Sequence, residues 1–208
     1  MNMKRLVFLL MLVSTSVFGQ VEQGVLIGGG IGFSMQDKQN IVPPSEELQF
    51  DHNLKGNGSV GYRFRFLPAQ KSFYDLDLTV GFQGMSTRKG SPFYSNEKGA
   101  GYVNGEDNKF SEFIMPISIA GSWNYRLTDK FHVGLGIAPT FYVQPKAAFD
   151  LGVLAKAGYR VSNHCELSLS YQYGCLNTLK HFNDGASLGR KGHLSDLMFS
   201  VYVPFRIK

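Results

Sequence analysis

Along most of the chain, apolar and polar residues alternate one by one, the period at which successive side chains of a strand face opposite ways. In residues 25–35 the odd positions read Val25, Ile27, Gly29, Ile31, Phe33 and Met35, and the even ones Leu26, Gly28, Gly30, Gly32 and Ser34. In 54–66, Val60, Tyr62, Phe64 and Phe66 alternate with Ser59, Arg63 and Arg65. In 74–84, Tyr74, Leu76, Leu78, Val80 and Phe82 alternate with Asp75, Asp77, Thr79 and Gln83. The pattern recurs over 112–126, 131–144, 149–161, 165–175 and 196–207, making eight predicted strands. Each reaches the roughly 9–11 residues that a tilted strand needs to cross a bilayer, whereas globular strands average about 5–6. An even number of long strands lets the sheet close and removes its unpaired edges.

Alternation leaves open which face points outward. A soluble exported barrel would line its interior with the apolar face, and a membrane barrel would turn that face to lipid. Three features favour lipid. The polar face mixes charges of both signs with glycines at 28, 30, 32, 61, 81, 134, 136, 152 and 158, which suits the crowded interior of an eight-strand barrel. Aromatics gather toward both ends of the apolar face, with Tyr62, Phe64, Phe66, Trp123, Tyr125 and Phe205 at one end. Phe33, Phe82, Phe113, Phe141, Phe149 and Phe199 lie toward the other, as in two interfacial girdles. The connections alternate too. Those after strands two, four and six are short, and the opposite rim carries 36–53, 89–109 and 176–193, with one short exception at 145–148. Short periplasmic turns and long external loops are the outer-membrane rule.

The predicted fold is therefore all-β: an eight-stranded antiparallel transmembrane β-barrel. In its signal-like start, its eight alternating strands, its loop asymmetry and its last strand LSDLMFSVYVPFRIK, the chain resembles small outer-membrane β-barrel domain proteins of the PorT-like and OmpA-like kind. The resemblance covers residues 21–208. It implies a terminal strand that ends on an outward aromatic, here Phe205, although Arg206, Ile207 and Lys208 follow it. PorT-like relatives are linked to protein secretion across the outer membrane.

The first residues read as a secretory signal peptide: Lys4 and Arg5, an apolar run, then Val17-Phe18-Gly19 before Gln20. The expected organisation is signal peptide 1–19 and barrel domain 20–208, exported to the outer membrane. Losing Lys4 and Arg5 lowers the formal net charge from +5 to +3, and no Lys/Arg stripe is present, so no nucleic-acid partner is expected. Only 18% of the residues are Asp, Glu, Lys or Arg, below the quarter or so usual in soluble domains. A half-lipid wall accounts for the deficit.

Candidate chemistry concentrates on the polar face. Arg63, Arg65, Arg126, Lys156, Arg160 and Arg206 stand against Asp75, Asp77, Glu112, Asp150, Glu166 and Asp196. Balanced signs in a narrow lumen predict a paired structural network, because unpaired charges there are costly. A conduction path is the alternative, though wide diffusion pores use 16–18 strands. Arg88, Lys89, Arg190 and Lys191 are expected near the outer leaflet, where they could contact lipid phosphates.

Cys165 and Cys175 fall ten residues apart on one strand, about 33 Å at roughly 3.3 Å per residue, too far to bridge. Eight-strand lipid A enzymes need Ser/His/acid groups at the outer interface. Here the histidines are scattered, and His164 with Glu166 falls at a periplasmic turn. No catalytic residue, cofactor or metal site is expected. Pro116 and Pro139 cannot donate to a ladder, which predicts a bulge or break toward the outer rim. The expected partners are outer-membrane lipid and another envelope protein met through the long loops. The functional reading is a structural or interaction role; the alternatives are a narrow channel or secretion accessory, and a lipid A enzyme.

Overall fold

The structure is a computed structural model, and it describes residues 21–36, 55–89, 108–178, 181–182 and 192–205. The signal-peptide segment and most of the three long connections lie outside the described residues. Eight strands follow in order: β1 (Val21–Gln36), β2 (Lys55–Phe66), β3 (Ser72–Lys89), β4 (Asn108–Arg126), β5 (Phe131–Gln144), β6 (Ala148–Ser162), β7 (Cys165–Gly174) and β8 (Gly192–Phe205). Each pairs antiparallel with the next, and β8 returns to β1, so the sheet is a closed barrel. Among the described residues no helix is long and apolar enough to cross a membrane.

The faces are sorted as the alternation predicts. Val60 is 57% exposed and Leu135 62%, while Arg63 and Arg65 are each 1% exposed. Charges inside and aliphatics outside invert the polarity of a soluble protein, and lipid is the solvent that makes this arrangement stable. Midway along the wall, Ile27 pairs with Val60 on one side and Val201 on the other, and Val60 pairs in turn with Val80. Aromatics bracket this aliphatic belt. At the short-turn end Tyr62 lies 5.0 Å from Phe64 and 6.1 Å from Phe205, and Trp123 donates to Ser72 Oγ at 2.5 Å. At the other end Phe82 stacks on Phe113 at 6.3 Å and Phe33 on Tyr171 at 6.2 Å.

The connections 67–71, 127–130 and 163–164 form one rim and 145–147 belongs to the other. The first of these turns on Leu67, a non-glycine residue at φ 59°. Arg126 secures it from β4, donating through Nη1 to the Gln70 carbonyl at 3.0 Å and through Nη2 to the Pro68 carbonyl. The prolines disturb the ladder where expected. Between β4 and β5 the register shifts at Met115/Pro116, so that Met115 faces Gln144 and Pro116 faces Tyr142. The β3–β4 ladder likewise passes from Val80–Ile117 to Gln83–Ile114 across Pro116.

Candidate functional site

Among the described residues the lumen gathers the polar chemistry, and the hairpin of β2 and β3 builds its centre. Register sets Arg63 opposite Asp77 and Arg65 opposite Asp75. The alternation that turns Phe64 and Leu76 outward turns all four charges inward. Arg63 grips Asp77 through Nε–Oδ1 at 2.7 Å and Nη2–Oδ2 at 2.8 Å. Arg65 grips Asp75 in the same way, at 2.7 and 3.0 Å. Such two-pronged contacts match the planar guanidinium to the carboxylate.

Glu166 reaches these arginines from β7, across the lumen. Its Oε2 accepts from Arg65 Nη1 at 2.6 Å and its Oε1 from Arg65 Nη2 at 2.7 Å and Arg63 Nη1 at 3.3 Å. Lys156 of β6 donates to Asp75 at 2.6 Å. Arg160 of β6 holds both oxygens of Glu22, at 2.8 and 2.7 Å. Four cations thus meet four carboxylates, and they tie β1, β2, β3, β6 and β7 together through the interior. Tyr202, fully buried, lies under both arginines, 5.0 Å from the Arg63 guanidinium and 5.4 Å from that of Arg65. Phe73 covers Arg65 from the other side at 4.5 Å. His132 approaches Glu166 at 3.7 Å.

The expected six-against-six network is therefore smaller and differently composed. Arg63, Arg65, Asp75, Asp77, Lys156, Arg160 and Glu166 come together. Arg126 instead serves backbone carbonyls of the turn. Asp150 accepts from the amides of Leu151 at 2.8 Å and Leu176 at 2.9 Å, so it anchors the chain leaving β7 and forms no ion pair with a lysine or arginine among the described residues. Asp196 lines the lumen farther out and forms no ion pair among the described residues. The reason is distance along the barrel: alternation assigns a charge to the interior but not to a level within it. The Glu112, Arg88 and Lys89 side chains, and Arg190, Lys191 and Arg206 entirely, lie outside the described residues. Glu22 was missed, although its even parity with Leu26 placed it on the inner face.

At the outer end Ile114, Tyr142, Ala148, Phe182 and Leu194 pack into a buried apolar cluster. Phe182, from the segment after β7, meets the Tyr142 ring edge-on at 5.2 Å. Between this cluster and the charges lies a cavity of about 100 Å³ lined by Asn57, Gln83, Thr140, Gln172 and Asp196, among others. Cys165 and Cys175 are both free, and Cys175 is exposed. His164 is exposed at its turn, while its neighbour Glu166 is bound to the arginines. Among the described residues no three His, Cys, Asp or Glu side chains converge as metal ligands.

No family model matches the chain, and no curated protein matches it in sequence. Solved structures similar to it include Ail, the attachment invasion locus protein of Yersinia pestis, at 14% identity and a TM-score of 0.42, covering 89% of this chain and 99% of that one. Neisserial surface protein A is similar at 14% identity and a TM-score of 0.42, over 88% and 97% of the two chains. The outer membrane protein OprG from Pseudomonas aeruginosa is similar at 14% identity and a TM-score of 0.45, over 90% and 98%.

Proposed function

We propose that this protein is exported to the outer membrane and acts there as a closed barrel wall, presenting its long connections to a partner in the envelope or outside it. The observation that carries this reading is the filled lumen. Arg63, Arg65, Asp75 and Glu166, each 2% exposed or less, occupy its centre with their charges mutually engaged. An interior occupied by side chains holding one another supports a scaffold more than a conduit, because opening a path would separate desolvated ion pairs. The apolar cluster around Phe182 adds a second constriction at the outer end.

Two measurements test this. Folded protein in planar bilayers is expected to give no discrete conductance steps, and reproducible steps would overturn the scaffold reading in favour of a channel. Crosslinking in intact outer membranes is expected to capture a partner that is lost when 89–109 and 176–193 are shortened. Capture that survives both deletions would remove the loops from the role.

A further inference from the structure

The cavity above the ionic cluster carries an imbalance that the cluster itself lacks. Below it, Arg63, Arg65, Lys156 and Arg160 are matched by Glu22, Asp75, Asp77 and Glu166. Asp77 forms part of the cavity floor, but both its oxygens are engaged by Arg63, at 2.7 and 2.8 Å. Asp196 projects from β8 into the same cavity with neither an ion pair nor a hydrogen bond among the described residues. Lys55 is the nearest cation in register, since Gly32 pairs with Lys55 on one side and Asp196 on the other. The two form no ion pair. A carboxyl group inside a lipid-wrapped barrel either takes up a proton or keeps its charge beside a counter-ion.

A second group points to the same space. Asn57, 8% exposed, lines the cavity, and its Oδ1 has no hydrogen-bond partner. Two glycines of β1 make room for the Asn57 and Gln83 side chains. A Cβ at Gly30 would lie 3.0 Å from Asn57 Oδ1, and one at Gly32 would lie 2.0 Å from Gln83 Nε2. Hydroxyls add oxygen donors to a lining that also holds the Met198 thioether and apolar residues such as Leu26 and Leu154: Thr140 Oγ1 accepts from Gln172 at 3.2 Å, and Ser59 on the adjacent wall donates to Met198 Sδ at 3.1 Å. The cavity's carboxylate, amide and hydroxyl oxygens outnumber its one thioether sulfur, so the donor set suits a hard cation. One uncompensated charge suits a monovalent one. A volume of about 100 Å³ admits such an ion with one or two waters, each of which takes about 30 Å³ in the liquid.

We propose that the outer lumen binds a single alkali-metal cation, with Asp196 as its charged ligand and Asn57 Oδ1 as a neutral one. Bounded inward by the ionic cluster, the site is a resting place for the ion.

The test is thermal unfolding of the folded barrel in detergent, in potassium chloride and in N-methyl-D-glucamine chloride at equal ionic strength. The bulky organic cation is too large for the cavity. The midpoint is expected to fall by about 2–4 °C without the alkali ion. In Asp196→Asn the difference should vanish, and the variant should melt in the organic salt no lower than wild type in potassium. Equal wild-type midpoints, or an ion effect that survives in Asp196→Asn, would overturn the proposal. Should that variant fail to fold, thallium(I) NMR of the wild type still decides: a bound resonance displaced by potassium supports the site, and its absence removes it. A potassium effect found only in Lys55→Gln would also overturn it, by identifying the lysine as the native counter-ion.

Discussion

Glu166→Gln is the perturbation that most directly probes the lumen. The change preserves shape and removes one negative charge from a set of four cations and four carboxylates. Glu166 accepts three hydrogen bonds from Arg63 and Arg65. A glutamine keeps one acceptor oxygen and turns an NH₂ toward a guanidinium, so at least one charge-assisted bond, worth about 1.5–3 kcal/mol, is lost. The excess cation stays at a site where both arginines are 1% exposed, and removing one partner of a buried pair costs about 3–5 kcal/mol in all. The double substitution Arg65→Met with Glu166→Met restores the balance at three against three. It should therefore be less destabilised than Glu166→Gln by about 1–3 kcal/mol. Urea titration in lipid vesicles measures both, read by the fluorescence of Trp123, the only tryptophan. An unchanged urea midpoint for Glu166→Gln, or a double variant no more stable than the single, would refute the claim that the network is a mutually dependent set.

Two further outcomes follow from the wall and from the outer constriction. Val60→Arg, at the aliphatic midline where Val60 pairs with Ile27 and Val80, should cost about 2–4 kcal/mol in vesicles, and Phe205→Arg at the rim about 0–1 kcal/mol; equal costs would mean that depth in lipid is not the variable. Phe182→Ala should cost about 3–5 kcal/mol, because a 2%-exposed ring packed on Tyr142 is lost from a buried cluster; an unfolding curve that superimposes on wild type would show that Phe182 does not hold the mouth.

The wall was legible because its information is local. Parity along each strand turned Val60, Leu135 and Phe199 outward and Arg63, Asp75 and Glu166 inward, and in the described strands the observed exposures follow that sorting. Pro116 announced the broken ladder for an equally local reason: it lacks the amide proton the ladder requires. The interior was less legible because its information lies across strands. Whether Arg65 meets Glu166 depends on the register of β7 against β8, β8 against β1 and β1 against β2. No spacing within one segment encodes that sum. The Arg63–Asp77 and Arg65–Asp75 pairs were within reach, since one hairpin turn relates them, whereas the isolation of Asp196 and the backbone role of Asp150 were not.

Closure by β1 against β8 joins the first described residues of the chain to the last, with Gln23 beside Phe205. The contact that completes the sheet therefore links positions separated by almost the whole domain, the most expensive kind of loop to close by random search. Until β8 docks, β1 offers a bare edge and every strand carries a greasy face with no lipid against it, a state that invites aggregation. The order of synthesis thus works against this architecture. Until the final strand is available, association with other chains competes with closure, so the yield of folded barrel depends on when β8 meets β1 as well as on the strength of the finished sheet.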